Sequence, residues 1–206
     1  ASMYKAYKFR LYPSDDQKIL IHKTFGCYRF IYNTFLDVCK NNGYKRAFDM
    51  CNELKELYVE YPWLKEVDSC SLRCAIFNLE DAYKNFFAGR SKYPVFKNKY
   101  QRQTYRTNCM RSEYKGKHYS SIELDLKNHK VKLPKLKWVD IRGYRNIDVI
   151  NGDIVNATVI KETTGKYYVS IIVDEIEVIK KKVEPKTIVG IDLGITNSCV
   201  AVMQGG

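Results

Sequence analysis

The stretch 4-YKAYKFRLY-12 decides how the rest of the chain is read. Tyr7, Phe9 and Leu11 alternate with Lys8 and Arg10, a period of two that specifies a half-buried strand with a basic outer face. Pro13 ends it. One strand cannot satisfy its own backbone, so this one needs sheet partners elsewhere in the sequence. None follows at once. Ser14-Asp15-Asp16-Gln17 is a capping box, in which the Ser14 hydroxyl takes the Gln17 amide and the Gln17 side chain reaches back. Ile21, Phe25, Tyr28, Tyr32, Phe35 and Cys39 then recur at helical spacing as far as Asn42-Gly43, with Gly26 a weak point in mid-pattern. A second helix is predicted over 46–58. A third, capped by Asp68 or Ser69, turns Leu72, Ile76, Leu79, Tyr83, Phe86 and Phe87 inward and stops at Gly89. Together they make a small helical domain around one aromatic seam.

The period returns to two at Ile122. Candidate strands cover 122–126, 130–133, 137–142, 146–149, 154–162 and 166–174, with turn signals at Asn128, Asn151-Gly152 and Thr164-Gly165. Short strands with polar turns suggest a small barrel. The economical solution is that the strand at 4–12 joins this barrel and the helices are inserted between. The expected class is α+β, with a β-barrel domain from 4–12 and 104–180, a helical domain at 14–103 and a charged linker at 181–186. Residues 187–206 then begin a further domain with two strands, 187–193 and 198–203, joined by a tight turn.

Composition bounds the function. The 206 residues carry 35 Lys and Arg against 23 Asp and Glu, a net charge of +12, which favours a polyanionic partner. No apolar run approaches the length of a membrane span, and the first residues hold no signal-peptide core. Seven cysteines are scattered without a C-x-x-C pair, so neither a disulfide framework nor a zinc site is expected within the chain, and the compartment is reducing, hence cytoplasmic. Cys70 and Cys74 share a helix face and are read as small core residues.

The charge is concentrated. Between Lys84 and Lys117 lie ten Lys or Arg residues and one acid, Glu113. Interleaved with them are Phe86, Phe87, Tyr93, Phe96, Tyr100, Tyr105 and Tyr114. Cations for phosphates beside flat rings for bases suit a nucleic-acid groove; the plainer alternative is that the rings are core and the charges merely solubilise. A second basic run, 130-KVKLPKLK-137, is expected to alternate along one strand and line an outer face with lysines.

Near the end, 188-IVGIDLGITNSCVAVM-203 admits two chemistries. It can be the phosphate loop of an Hsp70-like or actin-like ATPase, whose glycines let backbone amides approach phosphate. It can also be the strand bearing the first metal-binding carboxylate, Asp192, of an RNase H-like nuclease.

Nine segments in order resemble one family. They are 5-KAYKFRLYP-13, 26-GCYRFIYN-33, 63-WLKEVDS-69, 83-YKNFF-87, 93-YPVFK-97, 105-YRT-107, 132-KLPKL-136, 165-GKYYVS-170 and 190-GIDLGI-195. This series resembles the amino-terminal part of the TnpB (OrfB) family of transposon-encoded RNA-guided DNA endonucleases, relatives of the type V CRISPR effectors. The resemblance favours the nuclease reading. It implies a wedge-type β-barrel, an inserted helical recognition domain and the first β-hairpin of an RNase H-like (RuvC) domain. It also implies a guide RNA from the transposon end and double-stranded target DNA as partners.

On that pattern Asp192 is the first catalytic carboxylate and a ligand of Mg2+, a cofactor expected only of a full-length parent. Ser69, Arg73 and Tyr105-Arg106-Thr107 are expected at the target-flanking DNA motif, with Arg73 standing where the family pattern is uncharged. Lys8, Arg10, Lys97, Lys99, Lys132, Lys135 and Lys137 are candidate phosphate contacts. The 206 residues are expected to bind nucleic acid without cutting it. The alternatives are a non-catalytic DNA-binding regulator on the same scaffold or an ATPase fragment. No oligomeric state is implied.

Overall fold

The alternation at the start of the chain becomes β1 (Met3–Tyr12), with Tyr7, Phe9 and Leu11 buried and Lys8 and Arg10 on the opposite face. It is the first element of a computed structural model that describes residues 2–143, 150–175 and 203–204. The chain divides into two compact units, one of residues 1–14, 109–160 and 166–206, the other of residues 15–108 and 161–165.

In the first unit β1 finds its partners far along the sequence. It runs antiparallel to β9 (Tyr167–Glu175) over nine positions, from Met3↔Glu175 to Leu11↔Tyr167. Its other edge pairs with β7 (Lys137–Arg142) from Arg10↔Arg142 to Tyr12↔Asp140. With β5 (Glu123–Asp125), β6 (Lys130–Leu133) and β8 (Asp153–Lys161), the antiparallel order is β8-β9-β1-β7-β6-β5. The sheet curls, and its inner face buries Phe9, Val131, Val139, Val159, Val169 and Ile171. Among the described strands the path does not close on itself, so the expected barrel is a half-barrel. Gly152 enters β8 at φ 145°, and a Cβ there would collide with the Asp174 carbonyl; only glycine lets the two backbones pass.

The same unit holds a hairpin that no apolar alternation announces, β3 (Arg111–Tyr114) with β4 (Lys117–Ser120). Met203–Gln204 (β10) pairs with Met3–Tyr4. The expected strand at 146–149, the linker at 181–186 and the rest of the carboxy-terminal hairpin, Asp192 included, lie outside the described residues.

The second unit holds α1 (Asp15–Asn42), α2 (Ala47–Glu60), a 3-10 turn (Pro62–Glu66), α3 (Ser69–Phe87) and β2 (Gln103–Asn108). Helix α1 is continuous through Gly26, because Phe25, Tyr28, Ile31, Phe35 and Leu36 are all buried, and each such side chain contributes about 1.5–3 kcal/mol. That sum outweighs a glycine penalty of about 1 kcal/mol. Helix α2 has no side-chain cap of its own; its Ala47 amide donates instead to Glu80 Oε2 of α3 at 2.5 Å. Asp68 caps α3 through the Cys70 amide at 3.1 Å. Phe87, expected inward, is 60% exposed: at the last position of α3 its ring rests on Tyr83 and Tyr44 at the edge of the seam.

Candidate nucleic-acid interface

Cations gather on β1 and its neighbours in the first unit, and on α3, β2 and the segment between them in the second. In the first unit, the alternation that sends Phe9 and Leu11 inward sends Lys8, Arg10 and Tyr12 outward. The register sets Tyr168 of β9 opposite Arg10. The Lys8 ammonium lies 4.7 Å from the Tyr168 ring centre, and the Arg10 guanidinium lies 5.0 Å from Tyr12 and 5.7 Å from Tyr168. Arg142, across from Arg10 on β7, adds a second guanidinium. Cations held over ring faces keep their charge and lose rotamer freedom, which suits them to phosphate. The Arg10 Nε is buried and has no hydrogen-bond partner among the described residues.

The second basic run behaves differently from expectation. Pro134, which has no amide hydrogen, ends β6, and the chain turns through left-handed Lys135 (φ 66°) and Lys137 (φ 61°). The lysines therefore line two strands and a turn instead of one outer face. Lys132 is paired with Glu123 at 2.9 Å, which removes it from the set of unengaged cations. Lys135 and Lys137 are exposed at the turn.

In the second unit the surface is organised by Asp68. One carboxylate oxygen caps α3; the other accepts the Thr107 hydroxyl. That link joins β2 to the start of α3. Tyr105 and Thr107 are buried, 4% and 1% exposed, and Tyr105 packs edge-on against Phe25 at 5.5 Å. Burial pushes the Tyr105 phenol far up in pKa. Both residues, expected as direct contacts, are buried here, and strand alternation puts Arg106 between them on the other face of β2. The Arg106 guanidinium lies beside the Cys74 thiol and the Tyr28 phenol, and its Nε is buried without a partner. Ser69 and Arg73 are exposed in the first turns of α3; burial raises the Cys51 thiol and Tyr58 phenol of α2, and the nearby Arg73 guanidinium partly opposes that rise.

The segment between α3 and β2 has no regular structure yet is pinned. Asn33 of α1 accepts from the Lys97 amide at 2.8 Å and donates to the Lys97 carbonyl at 2.9 Å. Although Lys97 is exposed overall, its ammonium turns inward to 4.5 Å from the Tyr32 ring, and burial there lowers its pKa. Lys99 sits over Tyr100, the most exposed ring of the segment. Tyr93 and Phe86 pack edge to face at 5.1 Å, and the Tyr93 and Tyr83 hydroxyls are 2.7 Å apart. So the interleaved rings divide: Phe86, Tyr93 and Tyr105 build the unit, whereas Tyr100 and Tyr114 face solvent.

The cysteines of the described residues are free thiols. The Cys70 thiol is lowered in pKa, chiefly by a hydrogen bond from Cys74, and burial raises Cys27 to about 11. Among the described residues no group of three His, Cys, Asp or Glu is placed to hold a metal ion, and no helix is long and apolar enough to cross a membrane.

Three relatives and one family model match the sequence. A helix-turn-helix domain family (HTH_OrfB_IS605) matches residues 3–47. The Escherichia coli K12 protein named "Putative RNA-guided DNA endonuclease InsQ" is 31% identical over 199 residues, covering 93% of this chain and 45% of that protein. A Streptomyces pristinaespiralis protein of the same description is 29% identical over 202 residues, 94% of this chain and 46% of its own length. The virulence protein VsdF of Salmonella dublin is 31% identical over 115 residues, 48% of this chain and 96% of VsdF. The chain thus spans a little under half the length of the two endonuclease relatives.

Cations are held over rings on the β1 face of the half-barrel and in the segment before β2 of the helical unit, and the family model and the endonuclease relatives are those of transposon-associated, nucleic-acid-binding proteins. The chain belongs to the TnpB (OrfB) family and corresponds to its amino-terminal part. The helix-turn-helix match covers β1, α1 and the turn at Gly43 (φ 85°) up to the first residue of α2. Helix α2 carries Asp49, Glu53, Glu56 and Glu60 against Lys55 alone. Phosphate repels a helix of that charge, but only its Ala47 falls within the match, which does include Lys8 and Arg10 of β1.

Proposed function

We propose that this chain is the nucleic-acid-binding part of an RNA-guided DNA endonuclease, in which the half-barrel and helical units hold a guide RNA and read a short motif flanking the DNA target. One observation carries the reading. Arg10 of β1 and Arg106 of β2, one in each unit, each hold a buried Nε that finds no acceptor among the described residues. An unmade hydrogen bond at a buried donor costs about 1–3 kcal/mol, and a phosphate or base edge is the acceptor that would recover it. Ser69, Arg73 and Arg106 are assigned to the DNA motif. Lys8, Arg10, Lys99, Lys135 and Lys137 are assigned to phosphates, and Lys97 and Lys132 to a lesser share because the Lys97 ammonium turns inward and Lys132 is paired with Glu123. Asp192 is assigned as a Mg2+ ligand of a RuvC-type centre in a longer parent protein.

Sequencing the RNA that copurifies with the chain tests this. One discrete structured species is expected; its absence, together with binding of bare duplex DNA, would favour a non-catalytic DNA-binding regulator on the same scaffold. That second reading has no observation of its own in the two units.

A further inference from the structure

The β3–β4 hairpin belongs to none of the surfaces above. Its root is fixed by several bonds within its own unit. The Cys109 amide donates to the Val155 carbonyl at 2.9 Å, the Met110 amide to Ser121 Oγ at 2.8 Å and the Ser121 amide to the Met110 carbonyl at 2.9 Å, while the Arg111 guanidinium donates to the Ile154 carbonyl. Beyond the root, every residue from Arg111 to Tyr119 is exposed. A two-stranded ribbon with both faces in water has no hydrophobic reason to persist, and its turn is held by Lys115 (φ 51°) and Gly116 (φ 74°), a pair with positive φ at both central positions of a tight hairpin.

The register sorts its side chains. Ser112↔Tyr119 and Tyr114↔Lys117 share one face; Arg111↔Ser120 and Glu113↔His118 share the other. The first face therefore carries two diagonal tyrosines, 63% and 49% exposed at Tyr114 and Tyr119, beside Lys117 and with Lys115 5.2 Å from the Tyr114 ring. The hairpin's single acid, Glu113, points to the opposite face, where His118 lies 3.8 Å from it. Diagonal positions in an antiparallel pair are about 7–8 Å apart, so each ring is open to a separate base.

We propose that this hairpin is an arm for single-stranded RNA: Tyr114 and Tyr119 stack on two unpaired bases while Lys115 and Lys117 neutralise the phosphates between them. This deepens the function proposed above and rests on it. A paired duplex offers its phosphates but not its base faces, so stacking rings are of use only on unpaired nucleotides; complementarity of charge and of flat surface together select that occupant.

The test uses the full chain and a short unstructured single-stranded RNA carrying a fluorophore, with duplex DNA as comparator, read by anisotropy. Replacing both tyrosines (Y114A/Y119A) is expected to weaken RNA binding about fivefold or more per ring and to leave duplex binding within twofold. Y114F/Y119F, which keeps the rings, is expected to bind like the parent. K115A/K117A is expected to reduce the slope of log K against log[salt] by about 1.4 on the single strand. Unchanged thermal unfolding confirms that the exposed arm can be altered without loss of fold. Parent-like RNA binding by Y114A/Y119A overturns the arm and leaves the function above standing. An equal loss on RNA and duplex overturns it too, since the rings would then not stack. Failure of the parent chain to bind RNA overturns both.

Discussion

Asp68 is the residue on which the helical unit's candidate surface depends most directly, and its removal can be costed. One carboxylate oxygen caps α3 at the Cys70 amide, and the other accepts the hydroxyl of Thr107, which is 1% exposed. Asp68→Ala loses the cap, about 1 kcal/mol, and leaves a buried hydroxyl unpaired, about 1–3 kcal/mol. The expected loss is thus about 2–4 kcal/mol. Asp68→Asn keeps an oxygen for the Cys70 amide and presents an NH2 that the Thr107 oxygen can accept, so it is expected to cost less than about 1 kcal/mol. Two tryptophans make the measurement local. Trp63 lies in the helical unit and Trp138 in the half-barrel, so urea unfolding followed by fluorescence in a Trp138→Phe background reports α1, α3 and β2 alone. A loss below about 0.5 kcal/mol for Asp68→Ala, or equal losses for Ala and Asn, would refute this account of how β2 is tied to α3.

Other perturbations follow from the same geometry. Arg10→Ala and Arg106→Ala are each expected to weaken nucleic-acid binding and to lower the salt slope by about 1, whereas Lys132→Ala, already paired with Glu123 at 2.9 Å, should leave the slope nearly unchanged. Arg106→Lys keeps the charge but not the fork, so the salt slope is expected to survive while affinity falls; retention of both would sink the role given to its Nε. The Glu80 carboxyl is held below its ordinary 4.5 first by the Ala47 amide and then by Lys84. Its contribution is therefore complete above 4.5 and lost as pH falls through the lower folded-state value, and Glu80→Gln should flatten that part of the acid unfolding curve. Gly152→Ala, which drives a Cβ into the Asp174 carbonyl, is expected to lower the half-barrel's stability by more than about 1 kcal/mol, read through Trp138.

The sequence carried the long, strongly periodic elements well. The capped 3.6-residue pattern from Asp15 to Asn42 was legible because ten buried positions repeat along it, and β1 and β9 because branched and aromatic residues alternate in both. It did not carry β2, β3 or β4. Those strands are short and polar: 111-RSEY-114 and 117-KHYS-120 bury nothing, so no alternation marks them, and 103-QTYRTN-108 has only Tyr105 and Thr107 to signal an inward face. Their register is set by partners and by the Lys115–Gly116 turn. The site was legible as a charge excess but not as a geometry, because counting cations cannot subtract internal partners. Glu123 and Tyr32 engage two of the expected phosphate ligands, and Pro134 divides the lysine run that looked continuous.

What the strands do to their arginines bears on the role proposed for them. In 9-FRL-11 and again in 105-YRT-107, an arginine stands between two residues that the unit buries. Period two sets each arginine on the face opposite those neighbours; both have a buried Nε, and at Arg106 the guanidinium also lies against the Cys74 thiol, to which it is hydrogen-bonded. Such partial desolvation raises the worth of any acceptor that arrives, since a charge-assisted hydrogen bond is stronger where water competes less. It also raises the cost of the empty state, which a purely structural arginine would relieve with an internal carboxylate, as Lys132 does with Glu123 and Lys5 with Glu175. Acids are available on the same sheet, at Asp140 opposite Tyr12 and at Glu175, yet Asp140 pairs with Lys130 and Glu175 with Lys5. In the half-barrel, then, Glu123, Asp140 and Glu175 are matched to lysines, and the Arg10 fork is what the proposed reading leaves for a phosphate.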